Sequence, residues 1–125
     1  MAATTKIIVS GNVSDKQLLN TLERMDVNPV RGNEGIEVAL DGLISVLDVH
    51  FLENAYFRST ILRDLPYKSR KLKSSKCPIL LISGTYSDLM VQVLKRLAYE
   101  LGGGYIIEKD TNSYSRPEYK EIKGK

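Results

Sequence analysis

The run Lys6-Ile7-Ile8-Val9-Ser10-Gly11 is aliphatic, of strand length, and closed by a glycine. Beyond it, Leu18, Leu19, Leu22 and Met25 recur at helical spacing and predict one buried helix face. Ser14 and Gln17 precede that face in a capping-box pattern: the serine hydroxyl accepts from the Gln17 backbone N–H, and Asp15 complements the positive helix end. Asn28-Pro29 and Gly32-Asn33 punctuate the connection that follows.

The pattern then changes to a period of two. Asp41-Gly42 fits a two-residue hairpin turn, because glycine accepts positive φ without steric cost and aspartate tolerates it. Pairing Leu40 with Leu43 sets Val38 opposite Ser45 and Ile36 opposite Leu47, which puts these six residues on one face with Val49 and Phe51 extending it. Glu37, Ala39, Ile44, Val46, Asp48 and His50 fall on the other face, a mixed set suited to a partly solvated or partner-covered surface. Leu52 to Leu65 reads as strand or helix: it is rich in strand formers between Tyr56 and Leu62, and its polar pairs recur every five positions, so a third antiparallel strand is the expectation and a helix the alternative.

Past a polar stretch, Ile79-Leu80-Leu81-Ile82 reads as another buried strand. Ser87-Asp88 opens a second amphipathic helix with Met90, Val91, Leu94, Leu97, Ala98 and Leu101 on its inner face. Gly102-Gly103-Gly104 ends that helix, and Tyr105-Ile106-Ile107-Glu108 forms a final strand. The order β-α-β-β-(β)-β-α-β predicts an α+β single-domain two-layer sandwich, related in outline to split βαβ arrangements. Its mixed sheet has five to six strands, with both amphipathic helices on one face. The domain covers 1–108 with a connecting loop at 63–77, and 109–125 is expected to be a polar, mobile tail.

Composition narrows the class. At 125 residues the chain is long enough for one core without staples, and a single cysteine permits no internal disulfide. The Met-Ala-Ala-Thr-Thr start carries no basic-then-apolar leader, and no apolar run reaches membrane length; a cytoplasmic, intracellular protein is the expectation.

Candidate chemistry is sparse. The segments Ser10-Gly11-Asn12-Val13-Ser14-Asp15 and Ser83-Gly84-Thr85-Tyr86-Ser87-Asp88 share Ser, Gly, Ser and Asp between an aliphatic strand and a helix. Unpaired N–H groups at helix starts bind anions, so Ser10, Gly11, Ser14, Ser83, Gly84 and Ser87 are candidate anion contacts if the two turns meet at one sheet edge. The simpler reading is structural capping, since Asp15 and Asp88 already occupy those ends and would repel phosphate. Neither turn has the glycine spacing of a dinucleotide fingerprint or the lysine of a phosphate loop. His50 and Asp48 share a strand face but have no evident nucleophile. Cys77 precedes a proline as a small structural side chain would, and Glu118-Tyr119-Lys120 makes only a weak nuclease-like spacing in the tail. No catalytic residue, metal site or cofactor is assigned.

The charge distribution is more pointed. Between 68 and 76 stand Lys68, Arg70, Lys71, Lys73 and Lys76 with no acid, while the whole chain is only +3. Clustered cations attract phosphate, and Tyr56, Phe57 and Tyr67 upstream are available for stacking; a solvated loop is the competing reading. The leading expectation is a noncatalytic binding module that contacts nucleic acid, or a protein that handles it, through these five side chains. One alternative is an inhibitor or assembly module using the open hairpin face, for which a homodimer is a candidate. Another is a small anion sensor or enzyme built on the two Ser-Gly turns.

Overall fold

The computed structural model describes residues 3–10, 13–52, 55–63, 65, 79–111 and 118–125, with the backbone alone for Ser10 and 55–58. Strand β1 (Thr4–Ser10) leads to helix α1 (Asp15–Arg24), then β2 (Val30–Arg31), β3 (Ile36–Leu40), β4 (Leu43–Phe51) and α2 (Ala55–Arg63). After β5 (Ile79–Thr85) come α3 (Asp88–Glu100), β6 (Gly103–Asp110) and β7 (Lys120–Lys123). These strands form one sheet of order β2-β3-β4-β5-β1-β6-β7.

Every neighbouring pair in that sheet is antiparallel. The expected mixed pairing is therefore corrected, and the physical reason lies in the crossovers. β5 and β6 run in the same direction but are separated by β1, and β1 and β4 are likewise separated by β5, so no two parallel strands touch. The central order β4-β5-β1-β6 is the interleaving of a split βαβ arrangement. A β2-β3 extension on one side and β7 on the other bring the sheet to seven strands, above the expected count.

Alternation divides the sheet into two apolar faces. Ile7 and Val9 of β1, Leu80 and Ile82 of β5, and Ile106 of β6 pack beneath Leu18 and Leu22 of α1 and Met90, Leu94 and Leu97 of α3. This is the layer the sequence predicts. The opposite face carries Ile8, Ile79 and Tyr105 and is covered by Leu62 of α2 and by Leu65. The segment expected to be a third strand is thus helical over Ala55–Arg63, and it adds a layer behind the sheet rather than a strand within it.

The hairpin has the anticipated register, with Leu40 opposite Leu43, Val38 opposite Ser45 and Ile36 opposite Leu47. Asp41 and Gly42 both adopt positive φ, 51° and 81°, as a twisted two-residue turn requires. Ile36, Val38, Leu40 and Leu47 are buried, whereas Leu43 at the tip is exposed. At the end of α3, Gly102 and Gly103 supply positive φ. A Cβ on Gly104 would run into the Ile8 carbonyl of β1, so that glycine is set by close strand approach.

Residues 118–125 are not a free tail. β7 pairs with β6, and the Lys125 backbone N–H donates to the Tyr99 carbonyl at 3.0 Å. The Lys125 ammonium lies 3.4 Å from the Glu100 carboxylate, so the chain end closes over the terminus of α3.

Candidate functional site

Lys68, Arg70, Lys71, Lys73 and Lys76 lie outside the described residues, as do Gly11, Tyr67 and Cys77. What the structure fixes is the chain on either side of the segment. Leu65 and Ile79 flank it, are nearly fully buried, and belong to the same apolar cluster behind the sheet. The two described residues that flank the segment in sequence therefore belong to one cluster on one face of the sheet.

The antiparallel register sets Ile79 at one end of the sheet. Ser10 pairs with Ile79, and Phe51 pairs with Leu80. Lys123 is opposite Gly103, in register with the Tyr105–Glu121 row that faces α2, and it is exposed. A cation thus stands on the same face as that cluster, three strands across from β5.

The same register separates the two Ser-Gly turns. β1 ends at Ser10 beside the start of β5, while β5 ends at Thr85 beside Thr4. Seven residues of strand, about 20 Å, lie between the two exits. Ser10 and Ser14 belong to one end; Ser83, Gly84 and Ser87 belong to the other, so a joint anion site is not assembled from them.

Each turn instead has a local explanation. The Ser14 hydroxyl accepts from the Gln17 N–H at 3.1 Å, and the Ser87 hydroxyl accepts from the Met90 N–H at 3.1 Å. Asp15 is bridged to Arg31 of β2. Gly84 lies under α3, where a Cβ would come within 2.7 Å of the Met90 side chain. Ser83 falls on the face away from α3, between Lys6 and Asp48.

His50 and Asp48 are exposed on that same outer face, opposite Leu81 and Ser83. Glu118 precedes β7, Tyr119 packs against the α2 cluster, and Lys120 pairs with Ile106. Among the described residues no group of three His, Cys, Asp or Glu side chains could hold a metal, and no helix is long and apolar enough to cross a membrane.

A groove of about 530 Å³ runs between α1 and α3, lined in part by Arg24, Met25, Leu89, Val93 and Arg96. Its charges are largely engaged with one another. Burial would raise the Glu100 pKa, but the Lys125 and Arg96 charges and hydrogen bonds outweigh it and hold the carboxyl below its ordinary 4.5. The Arg24 guanidinium lies 3.5 Å from the Thr21 hydroxyl. This groove is a joint between two helices and the chain end.

The hairpin face expected to be partly solvated or partner-covered is exposed. β3 and β4 part from β5 beyond the Asp48–Ser83 pair, where the β4–β5 ladder ends. That part of the hairpin carries Leu43 and Ile44, each 73% exposed, with Val46 at 38% and Val30 of β2 at 57%. The mixed outer face was legible as a pattern, but where the hairpin parts from the sheet depends on the register of β5. Comparison of the chain with protein-family models, with curated proteins and with solved structures finds no match in any of the three.

Proposed function

We propose that this chain is a noncatalytic binding module that contacts nucleic acid, or a protein handling nucleic acid, through Lys68, Arg70, Lys71, Lys73 and Lys76. The observation that carries the reading is the placement of the chain on either side of the segment. Leu65 and Ile79, which flank the segment in sequence, are buried in one cluster, and five cations in nine residues stand between them in the chain. Without those five the chain would carry a net charge of −2, three minus five, so its basic excess lies in this segment. Exposed Lys123 stands on the face that holds Leu65 and Ile79.

A phosphate backbone is the natural complement of such a cluster, because each neutralised phosphate releases condensed counterions. Five contacts to duplex DNA correspond to a log–log salt slope of about −4.5, a loss of roughly 500-fold in affinity between 50 and 200 mM salt. The test is titration of the full chain with labelled DNA and RNA oligonucleotides over that range. Replacing the five cations with glutamine is expected to weaken binding and flatten the slope towards zero. Salt-dependent affinity that survives the replacement overturns the assignment.

A further inference from the structure

We propose that the outer face of the β2-β3-β4 ribbon docks a cationic, aliphatic-bearing segment of another protein. Cross-strand partners share a face, so the register assembles this surface directly. Val30 of β2, Glu37 of β3 and Val46 of β4 form one transverse row, and Ala39 with Ile44 forms the next. Asp48 and His50 continue it along β4. The exposed aliphatic side chains are contiguous, and grouping of this kind marks an interaction surface where scattered singles would not.

Charge selects the partner. Glu37 and Asp48 lie on the face, with Glu34 and Asp41 in the turns at either end of β3, and all four are exposed. The ion pairs among the described residues join Lys6 to Asp110, Arg31 to Asp15, Lys95 to Glu108, and Glu100 to Arg96 and Lys125. None involves those four acids. Arg31, the one cation between residues 30 and 50, is already held by Asp15.

This charge pattern decides against two other occupants. A two-fold contact with a second copy would double the number of acids in the interface while bringing no lysine or arginine from the same face to meet them. Nucleic acid would bring phosphates to carboxylates. A protein segment bearing lysine or arginine beside aliphatic side chains satisfies both the acids and the exposed valines and isoleucine.

The surface is small. Three strands at about 4.8 Å and five residues at about 3.4 Å give roughly 240 Å² in plan, well below the roughly 800 Å² per partner of a stable complex. Binding through this face alone is therefore expected to be weak and salt-sensitive.

The experiment uses the full chain and a fluorescent decapeptide of alternating lysine and valine, with lysine–serine and glutamate–valine decapeptides as controls. The lysine–valine peptide is expected to bind at least tenfold more tightly than either control. Ile44→Ser with Val46→Ser should reduce that affinity about tenfold, and the isosteric pair Glu37→Gln with Asp48→Asn should do the same while removing most of its salt dependence. Oligonucleotide binding should be unchanged in both variants, which keeps this inference separable from the role of residues 68–76. Equal binding of the three peptides, or no binding, overturns it; so does a dimer of the parent chain that Ile44→Ser dissolves.

Discussion

Ser14 and Ser87 occupy equivalent places in the chain, and their hydroxyls are both spent on helix N–H groups. Capping of this kind is worth about 1 kcal/mol, so Ser14→Ala and Ser87→Ala should each lower unfolding free energy in urea by about that amount. Ser83→Ala, which removes no cap, should be close to neutral. Gly84 is constrained from another direction. Met90 above it is only 1% exposed and has no solvent to swing into, so Gly84→Ala is expected to cost about 1–3 kcal/mol through overpacking. A hydrogen bond from Lys95, 2.5 Å away, and its charge hold the Glu108 carboxyl below its ordinary 4.5. A carboxyl lowered on folding contributes stability above its unfolded pKa and loses it as pH falls through the folded value. The chain should accordingly lose a small part of its stability on acidification below about 4.5, and Glu108→Gln should shrink that loss in melting curves taken from pH 6 downwards.

Elements differ in how far their sequence announced them. The hairpin was legible to the residue because two independent constraints agreed: a turn that demands positive φ at Asp41 and Gly42, and a period-two pattern with one buried face. α2 was not. Tyr56 to Leu62 is rich in strand formers, and the polar pairs of the segment recur every five positions, which scatters them around a helix. β7 was hidden as well. Lys120-Glu121-Ile122-Lys123 has one aliphatic residue to bury, and its partner strand opens with glycines that give no pairing signal. The basic segment was visible as charge, but that its flanking residues Leu65 and Ile79 share one cluster needed α2 to be placed first. The edge strand yields an element-scale prediction: truncation before Glu118 removes β7, Ile122 and the Lys125 partner of Glu100, and uncovers the edge of β6. A lower melting temperature and concentration-dependent association are expected, the latter read by size-exclusion chromatography, because an uncovered strand edge is a template for pairing.

At the scale of the whole molecule, two apolar layers share one sheet, and they are unequal among the described residues. The layer under α1 and α3 draws buried side chains from both helices and from β1, β3, β4, β5 and β6, whereas the described layer under α2 rests on Ile8, Leu62, Leu65, Ile79 and Tyr105. The difference bears on function, since Leu65 and Ile79, which flank the basic segment in sequence, lie in the smaller described layer and the buried face of the hairpin lies in the larger one. Regions with fewer buried apolar contacts open at lower free energy, in cooperative units smaller than the whole fold. Native-state hydrogen exchange should therefore show the amides of α2 exchanging through a sub-global opening, while those of β1, β5 and α3 exchange only with global unfolding. Leu62→Ala should accelerate exchange across α2 with a smaller effect on β1. Leu94→Ala, at the centre of the larger layer, should cost about 2–5 kcal/mol and accelerate both together. Exchange of α2 and α3 in step in the parent chain would mean that the two layers form one cooperative unit.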